Sequence, residues 1–466
     1  MSTHVVIIGA YGSAGVAVAD TLAREPDVSL TLVDDGDPGG GLCILRGCMP
    51  SKEVLSAGAH RYQARHDHRL TGPLPEVDLS RVVETKDEHT SNFAAHRRAA
   101  VHRLAERENV EFIHETAQFV DDRTVSVGDR VIDADYVVIA TGSRANVPAL
   151  PGIEDIEFMT SADVLDATDL PESGIVMGFG FVGLELVPYL AEAGMDLTVI
   201  EHDERPLDDA DPAFGDELLD IYRREFDVTI LTNTYERSVA PTPDGGVELT
   251  VDRAGETDTI VANQLFVFTG RKPALDNLGL EQTALEPEDE WVANSMQARE
   301  DPRVFVVGDV NGKEPILHVA KEQGYTAARN ILAHRTGEPL ESYENIHHHV
   351  VFSGLGVYPF SRVGHSAASA TAAGLDAVTV TRRASDDGVF KTKNVPDGLA
   401  SLVVDATDGT VLGYQGLHYH ADVMAKTMQV VIELGLDVRD LPDRAYHPTT
   451  PELLDGLFRE ARTVVA

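Results

Sequence analysis

The chain holds two cysteines in 466 residues, and both fall in one stretch, Gly39-Gly40-Gly41-Leu42-Cys43-Ile44-Leu45-Arg46-Gly47-Cys48-Met49-Pro50-Ser51-Lys52. A structural disulfide gains stability by closing a long loop, and a five-residue step from Cys43 to Cys48 closes almost none. A zinc site wants four soft ligands in spaced pairs, and no second pair exists here. The spacing leaves a redox dithiol, two thiols that never meet, or chance. A second candidate is His447-Pro448-Thr449-Thr450-Pro451-Glu452. An imidazole in a proline-stiffened turn, with a carboxylate five positions on, suits a proton carrier oriented by an acid. Taken alone, it reads as well as a surface turn. The run His347-His348-His349 offers further imidazoles, but consecutive strand residues point to opposite faces. These are expected to be structural or surface histidines, and no metal site is assigned.

The elements that would position these groups begin with Val5-Val6-Ile7-Ile8, a continuous apolar run of the kind a buried parallel strand shows. It ends at Gly9-Ala10-Tyr11-Gly12-Ser13-Ala14-Gly15, followed by a helix-like Val16 to Leu22 and a second strand, Leu30-Thr31-Leu32-Val33, that stops at Asp34. Strand, glycine turn, helix, strand and acid make a dinucleotide fingerprint, with Gly9, Gly12 and Gly15 at the pyrophosphate and Asp34 placed for a ribose hydroxyl. The usual G-x-G-x-x-G has gained a residue, Tyr11, so the geometry of this turn is open. A second fingerprint has regular spacing: Gly178, Gly180, Phe181 and Gly183, then the strand Asp196-Leu197-Thr198-Val199-Ile200 ending at Glu201. Two such units point to two bound dinucleotides. Glu201 favours NADH, because a 2′-phosphate would meet a like charge; His202 and Arg205 stand close enough to blunt that argument. Val304-Phe305-Val306-Val307-Gly308-Asp309 is another strand ending in an acid, either at a ligand or as a helix N-cap. Residues 53–110 read as helical and polar, and from about residue 341 the pattern turns to alternating strands with later helices.

Length implies several domains. No apolar run is long enough to span a membrane. A strand follows the N-terminus with no basic leader, so a cytoplasmic protein is expected. With 77 acidic and 38 basic residues the net charge is −39, which argues against nucleic acid or anionic membrane as partners. The acids are spread rather than blocked, and lysine is scarce (eight) beside arginine. This is the composition of a protein adapted to molar salt, so charge reports habitat rather than mechanism.

The order of these pieces resembles the class I pyridine nucleotide–disulfide oxidoreductases of the glutathione reductase and dihydrolipoamide dehydrogenase type. It runs from the first fingerprint through Cys-x4-Cys with Pro-Ser-Lys, Ala-Thr-Gly, second fingerprint with Glu185, Gly-Arg-x-Pro and Gly-Asp to His-Pro-Thr-x-x-Glu, and covers essentially the whole chain. The resemblance implies an α/β fold: two Rossmann-like dinucleotide-binding domains, for FAD and NAD(P), and a C-terminal α+β dimerisation domain. The expected divisions are 1–150 and 272–340 for FAD, 151–271 for the nicotinamide nucleotide and 341–466 for the interface. It implies a homodimer with the active site shared across subunits and a small-molecule disulfide as substrate. Cys43 then resembles the interchange thiol and Cys48 the thiol beside the flavin. Lys52 would lie near the flavin and pair with Glu185. His447 of the second subunit would be the acid–base, oriented by Glu452. Gly41, Ala117, Thr141, Gly142, Gly270, Arg271 and Asp309 join the glycines, Asp34, Phe181, Glu201 and Arg205 as cofactor-binding residues. Phe181 stands where many relatives carry a gating Tyr.

Departures narrow the reading. Leu42, Leu45 and Arg46 replace the usual Thr, Asn and Val around the cysteines, and residues 352–364 are longer than the family's Pro-Glu segment. A mercuric reductase would need a C-terminal cysteine pair that is missing here. The leading expectation is a haloarchaeal bis-γ-glutamylcystine reductase, which implies NADPH against the NADH reading of Glu201. The alternatives are a dihydrolipoamide dehydrogenase using NAD, a flavin-binding redox sensor without disulfide turnover, and an NADH oxidase or transhydrogenase on the same fold.

Overall fold

A computed structural model describes residues 2–288, 290–444 and 446–465. The chain is mixed α/β and divides into two compact units. The first comprises residues up to Pro50, Thr85–Asn146 and Arg271–Asn345; the second comprises Ser51–Glu84, Val147–Gly270 and the chain from Ile346 on.

The first unit is built on a five-stranded parallel sheet in the order Val304–Val306, Tyr136–Ile139, Thr3–Ile8, Val28–Val33, Val110–Ile113. From Val5 to Ile8 its central strand is an unbroken apolar run because both faces are covered there: Val5, Val6 and Ile7 have no exposed surface. The helices Ser13–Leu22 and Leu317–Thr336 pack against each other with Gly324 at the crossing, where an added Cβ would stand 2.6 Å from the Ala14 carbonyl oxygen. A three-stranded antiparallel sheet, Ala117–Asp121, Thr124–Val127 and Arg130–Asp133, flanks this core.

The second unit repeats the parallel architecture in the order Thr229–Leu231, Asp196–Ile200, Ser173–Met177, Gln264–Val267, Phe158–Met159. It also carries a five-stranded antiparallel sheet with His348–Val351 at one edge and Ala377–Arg383 at the other. The segment 352–364 is a buried plug rather than an exposed loop: Leu355, Val357, Tyr358 and Phe360 belong to the core. Gly354 N–H donates to the Tyr222 hydroxyl (2.9 Å), and Leu355 fills the space that a side chain at Gly58 would occupy.

Among the described residues no helix is long and apolar enough to cross a membrane. On the helix Ala421–Glu433 and the residue capping it, Val423, Val430 and Leu434 are exposed on one stripe, spaced seven and four residues apart.

His418 is fully buried in the second unit, its Nε2 hydrogen-bonded with the Tyr414 hydroxyl and its Nδ1 with the Tyr419 carbonyl, both at 3.0 Å. Burial pushes its pKa down to about 4. The unfolded chain therefore takes up this proton first as pH falls, so the His418 contribution to stability is complete above about pH 6.5 and is lost toward pH 4. Between about pH 7 and pH 5 this residue should cost the fold on the order of 2 kcal/mol. Urea midpoints at the two pH values should show it, and His418→Gln should flatten that part of the profile.

Candidate active site

The two glycine turns share one construction. Gly9 and Gly178 lie at positive φ, 95° and 93°, and a Cβ on either would strike a carbonyl oxygen of the neighbouring strand's end, Ala140 at 2.3 Å or Phe268 at 2.7 Å. Gly12 and Gly180 cap the helices Ser13–Leu22 and Phe181–Glu192. Gly15 and Gly183 face back to the first glycine, where a Cβ would come within 2.3 and 2.5 Å of its carbonyl oxygen. The extra residue in the first turn keeps these three roles. Tyr11 is buried, its N–H donates to Asp34 Oδ2 (2.8 Å), and its hydroxyl is hydrogen-bonded with His102 (3.0 Å).

Both trailing acids hold their own turn. Asp34 accepts from Tyr11 and Gly36 N–H, and burial raises its pKa. Glu201 accepts from Phe179 N–H (2.9 Å) and Asp203 N–H (3.1 Å). The two basic side chains beside Glu201 are engaged with carboxylates: His202 Nε2 lies 2.5 Å from Glu236, and Arg205 pairs with Asp216 (2.9 Å) and Glu204 (3.0 Å).

In the first unit a cleft opens between the N-terminus of Ser13–Leu22 and the strand ends, lined by Gly12, Gly41, Gly142, Asp309, Cys43 and Cys48. Its walls are largely backbone and small residues; at Gly142 (φ 74°) an added Cβ would meet nothing within 4 Å. Free N–H groups at a helix start, a narrow glycine wall and an acid at a strand end fit a flavin dinucleotide. Asp309 is held by the Ser143 hydroxyl (2.6 Å), itself contacted by Arg271 Nε (2.8 Å), whose NH2 donates to the Ser143 carbonyl (2.7 Å). Thr141 bonds instead to the Ala274 carbonyl. Ala117 is buried on the small antiparallel sheet, and neither it, Asp34 nor Thr141 lines the cleft.

Cys43 lies on the short turn Leu42–Leu45, and Cys48 opens the 19-residue helix Cys48–His66, an end that favours negative charge. Both are thiols, Cys43 partly buried and Cys48 exposed. The Cys43 pKa is raised first by its hydrogen bond with Cys48, then by burial and the Cys48 charge; Arg97 pulls it back. The two thiols titrate as a pair, and ionisation of Cys43 is the disfavoured step. Arg97, whose NH1 donates to the Tyr11 carbonyl (2.9 Å), had no signal in the sequence.

One turn beyond Cys48, Lys52 reaches Glu185 Oε2 at 2.6 Å within the second unit. Glu185 Oε1 accepts from Phe352 N–H (3.0 Å), and the Phe352 ring lies 4.4 Å from Lys52 Nζ. Ser143 and Phe352 were also missed, although Ser143 directly follows the Ala-Thr-Gly turn. Phe181 is half-exposed, 5.0 Å from the His349 ring. Gly270 (φ 87°) needs glycine for its backbone.

His447 Nδ1 is 3.1 Å from both carboxylate oxygens of Glu452, which also accepts from Thr449 N–H (2.9 Å). These bonds, His447 first, hold the Glu452 pKa below its ordinary value. The imidazole is 81% exposed.

This combination of two nucleotide folds, a dithiol in one cleft and an ordered histidine defines a flavoprotein disulfide reductase. The chain belongs to the pyridine nucleotide-disulphide oxidoreductase family, matched over residues 3–324, and residues 349–457 match that family's dimerisation domain, which indicates a homodimer. The family binds FAD and NAD(P)H. The dihydrolipoyl dehydrogenase of Bacillus subtilis is 30% identical over 97% of this chain and 95% of its own length; that of Halobacterium salinarum is 28% identical over 97% and 94%. A mercuric reductase of Streptomyces lividans is 28% identical over 95% and 92%. Among solved structures, the HOCl-induced flavoprotein disulfide reductase RclA of Escherichia coli, as its Cu(II) complex, superposes with a TM-score of 0.81 at 24% identity, over 98% of this chain and 99% of that one.

Removing the carboxylate charge in Glu185→Gln should leave Lys52 with the Ser51 hydroxyl and the Phe352 ring alone. Because the pair is partly solvated, unfolding of the FAD-loaded variant should come about 1–2 kcal/mol earlier than wild type in a urea titration.

Proposed function

We propose that the chain reduces a small disulfide bearing carboxylates, bis-γ-glutamylcystine being the leading candidate, with NADH as the electron source. The observation that carries this reading is Arg46, exposed between Cys43 and Cys48. An exposed guanidinium beside the dithiol complements an anionic disulfide and offers nothing to neutral lipoamide. NADH is supported by Glu201 and by the engagement of His202 and Arg205 with carboxylates, which leaves a 2′-phosphate poorly matched. The resemblance to bis-γ-glutamylcystine reductases implies NADPH instead, so the nicotinamide is tested together with the disulfide. Dihydrolipoamide dehydrogenase activity with NAD is the second reading, supported by Glu201 and by the names of the similar dehydrogenases. A flavin sensor without turnover fits poorly with the ordered His447–Glu452 pair.

The sheets support an FAD domain from 1–150 and 272–340, a nicotinamide domain at 151–271 and an interface domain at 341–466. In the FAD cleft, Gly12, Gly41 and Gly142 would let backbone approach the cofactor, with Gly9 and Gly15 shaping the turn behind them and Asp309 on its sugar chain. When bound, FAD would supply the two-electron chemistry that links nicotinamide oxidation to reduction of the Cys43–Cys48 disulfide. Lys52, fixed by Glu185, would set the charge beside the ring.

In the exchange half, His447 of the second subunit takes the proton held by Cys43. The Cys43 thiolate attacks one substrate sulfur, the substrate S–S bond breaks, and the leaving thiolate takes the proton from His447. The Cys48 thiolate then attacks the Cys43 sulfur, re-forming their disulfide and expelling the second substrate half as a thiolate, which takes its proton from water. Glu452 holds the imidazole and stabilises its charged form. A catalyst of thiol reduction with these two cysteines suits the cytoplasm.

Steady-state oxidation of NADH and NADPH in molar salt, with bis-γ-glutamylcystine, glutathione disulfide and lipoamide side by side, tests the assignment. The expected outcome is highest kcat/KM for NADH with bis-γ-glutamylcystine, and a roughly tenfold rise in its KM in Arg46→Gln with lipoamide unaffected. Preference for lipoamide would move the chain to the second reading. In stopped flow, Cys43→Ser should retain flavin yet lose disulfide turnover. His447→Gln should slow the exchange half about 10²–10⁴-fold while leaving flavin reduction near wild type.

A further inference from the structure

Strand alternation separates His348 from its neighbours but places His347 and His349 on the same side. His347 Nε2 and His349 Nδ1 are 2.9 Å apart, and His347 Nε2 lies 3.3 Å from Asp209 Oδ2. One ligand atom from each of the three residues lies within 4.8 Å of the other two. His348 is turned away, its Nδ1 hydrogen-bonded with the Ile346 carbonyl at 2.5 Å. We propose that Asp209, His347 and His349 form a binding site for a divalent transition cation, separate from the dithiol.

The ligand set and the spacings agree with this assignment. Two imidazoles and a carboxylate suit zinc and its borderline neighbours, cobalt, nickel and copper, rather than magnesium or calcium. Bonds of about 2.1 Å put adjacent ligand atoms about 3.0–3.4 Å apart for octahedral or tetrahedral angles. The two separations at His347 fall close to that range before any rearrangement. Binding needs each facing nitrogen as a lone pair, with the imidazole proton carried on the other nitrogen.

The surroundings define the kind of site. His349 is buried and fixed, whereas His347 and Asp209 keep about a third of their side-chain surface, 33% and 35%, so the remaining coordination positions face water. Arg362 NH1 donates to Asp209 Oδ2 at 2.9 Å. The same Oδ2 faces His347, so the guanidinium holds the carboxylate in place while opposing excess positive charge, giving a reversible site rather than a permanent structural one. Because the Phe181 ring packs 5.0 Å from His349, ligation would also fix the aromatic group at the start of the second fingerprint helix.

The test is titration of the FAD-loaded, oxidised enzyme with CoCl2 and ZnCl2, following visible Co(II) absorption and binding heat. Wild type should bind one equivalent with nitrogen–oxygen ligand-field bands. His347→Gln and His349→Gln should each weaken binding at least tenfold, and His348→Gln should bind as wild type. The exposed His347 makes its variant the one least exposed to misfolding, and flavin retention checks the fold of all three. Equal affinity in wild type and His347→Gln, equal losses in all three variants, or thiolate-to-cobalt bands abolished by Cys43→Ser would overturn the site.

Discussion

The rest of the architecture depends on how closely two helices approach the strands that feed them. At Gly15 and Gly183 the helix backbone faces the carbonyl oxygen of the turn's first glycine at a separation that admits no side chain. That contact sets where each helix begins, and the helix start carries unpaired N–H groups to the strand ends. In the first unit the same placement puts Gly12 and Ser13 into the wall of the cleft that also receives Cys43, Cys48 and Asp309. The dithiol is useful only because the glycine turn has made room beside it. A methyl group at Gly15 would act on the cleft as well as on the core.

The carboxylates after each second strand are part of this constraint. Asp34 and Glu201 each spend both oxygens on backbone N–H groups, one at the glycine turn and one two residues beyond the acid. A carboxylate so held has lone pairs left for a ribose hydroxyl, but its orientation is fixed first by the fold. The extra residue in the first turn shows the priority. Tyr11 lengthens the loop, yet its N–H supplies the bond to Asp34 that Phe179 supplies to Glu201, so insertion is absorbed without loss of the anchor.

Much of the fold was legible because covered parallel strands leave an unbroken apolar signature, as Val5–Ile8 does, and because glycine spacing marks turns that no other residue can make. The candidate site was legible where groups are linked locally, as in His447 with Glu452 or Cys43 with Cys48. Across the sequence, Lys52 with Glu185 was anticipated through the family resemblance, but other contacts were not. Nothing near Arg97 indicates its proximity to Cys43, and nothing in residues 352–364 shows that an apparent insertion is core whose first residue caps Lys52 and Glu185. In the histidine run, alternation turns His348 away from its neighbours, but nothing in the sequence shows that Asp209 comes from another element to within reach of His347 and His349.

The exposure of His447 follows from the same economy. At 81% exposure the imidazole is surrounded mostly by water. Glu452 supplies orientation, since the imidazole touches both its oxygens and the carboxylate is itself fixed by Thr449 N–H. It cannot supply a dry environment. A second subunit can, and Val423, Val430 and Leu434 leave an apolar stripe in the matched dimerisation domain that water does not favour. Under the proposed function, a second subunit that covered this stripe and His447 together would make assembly part of the catalyst.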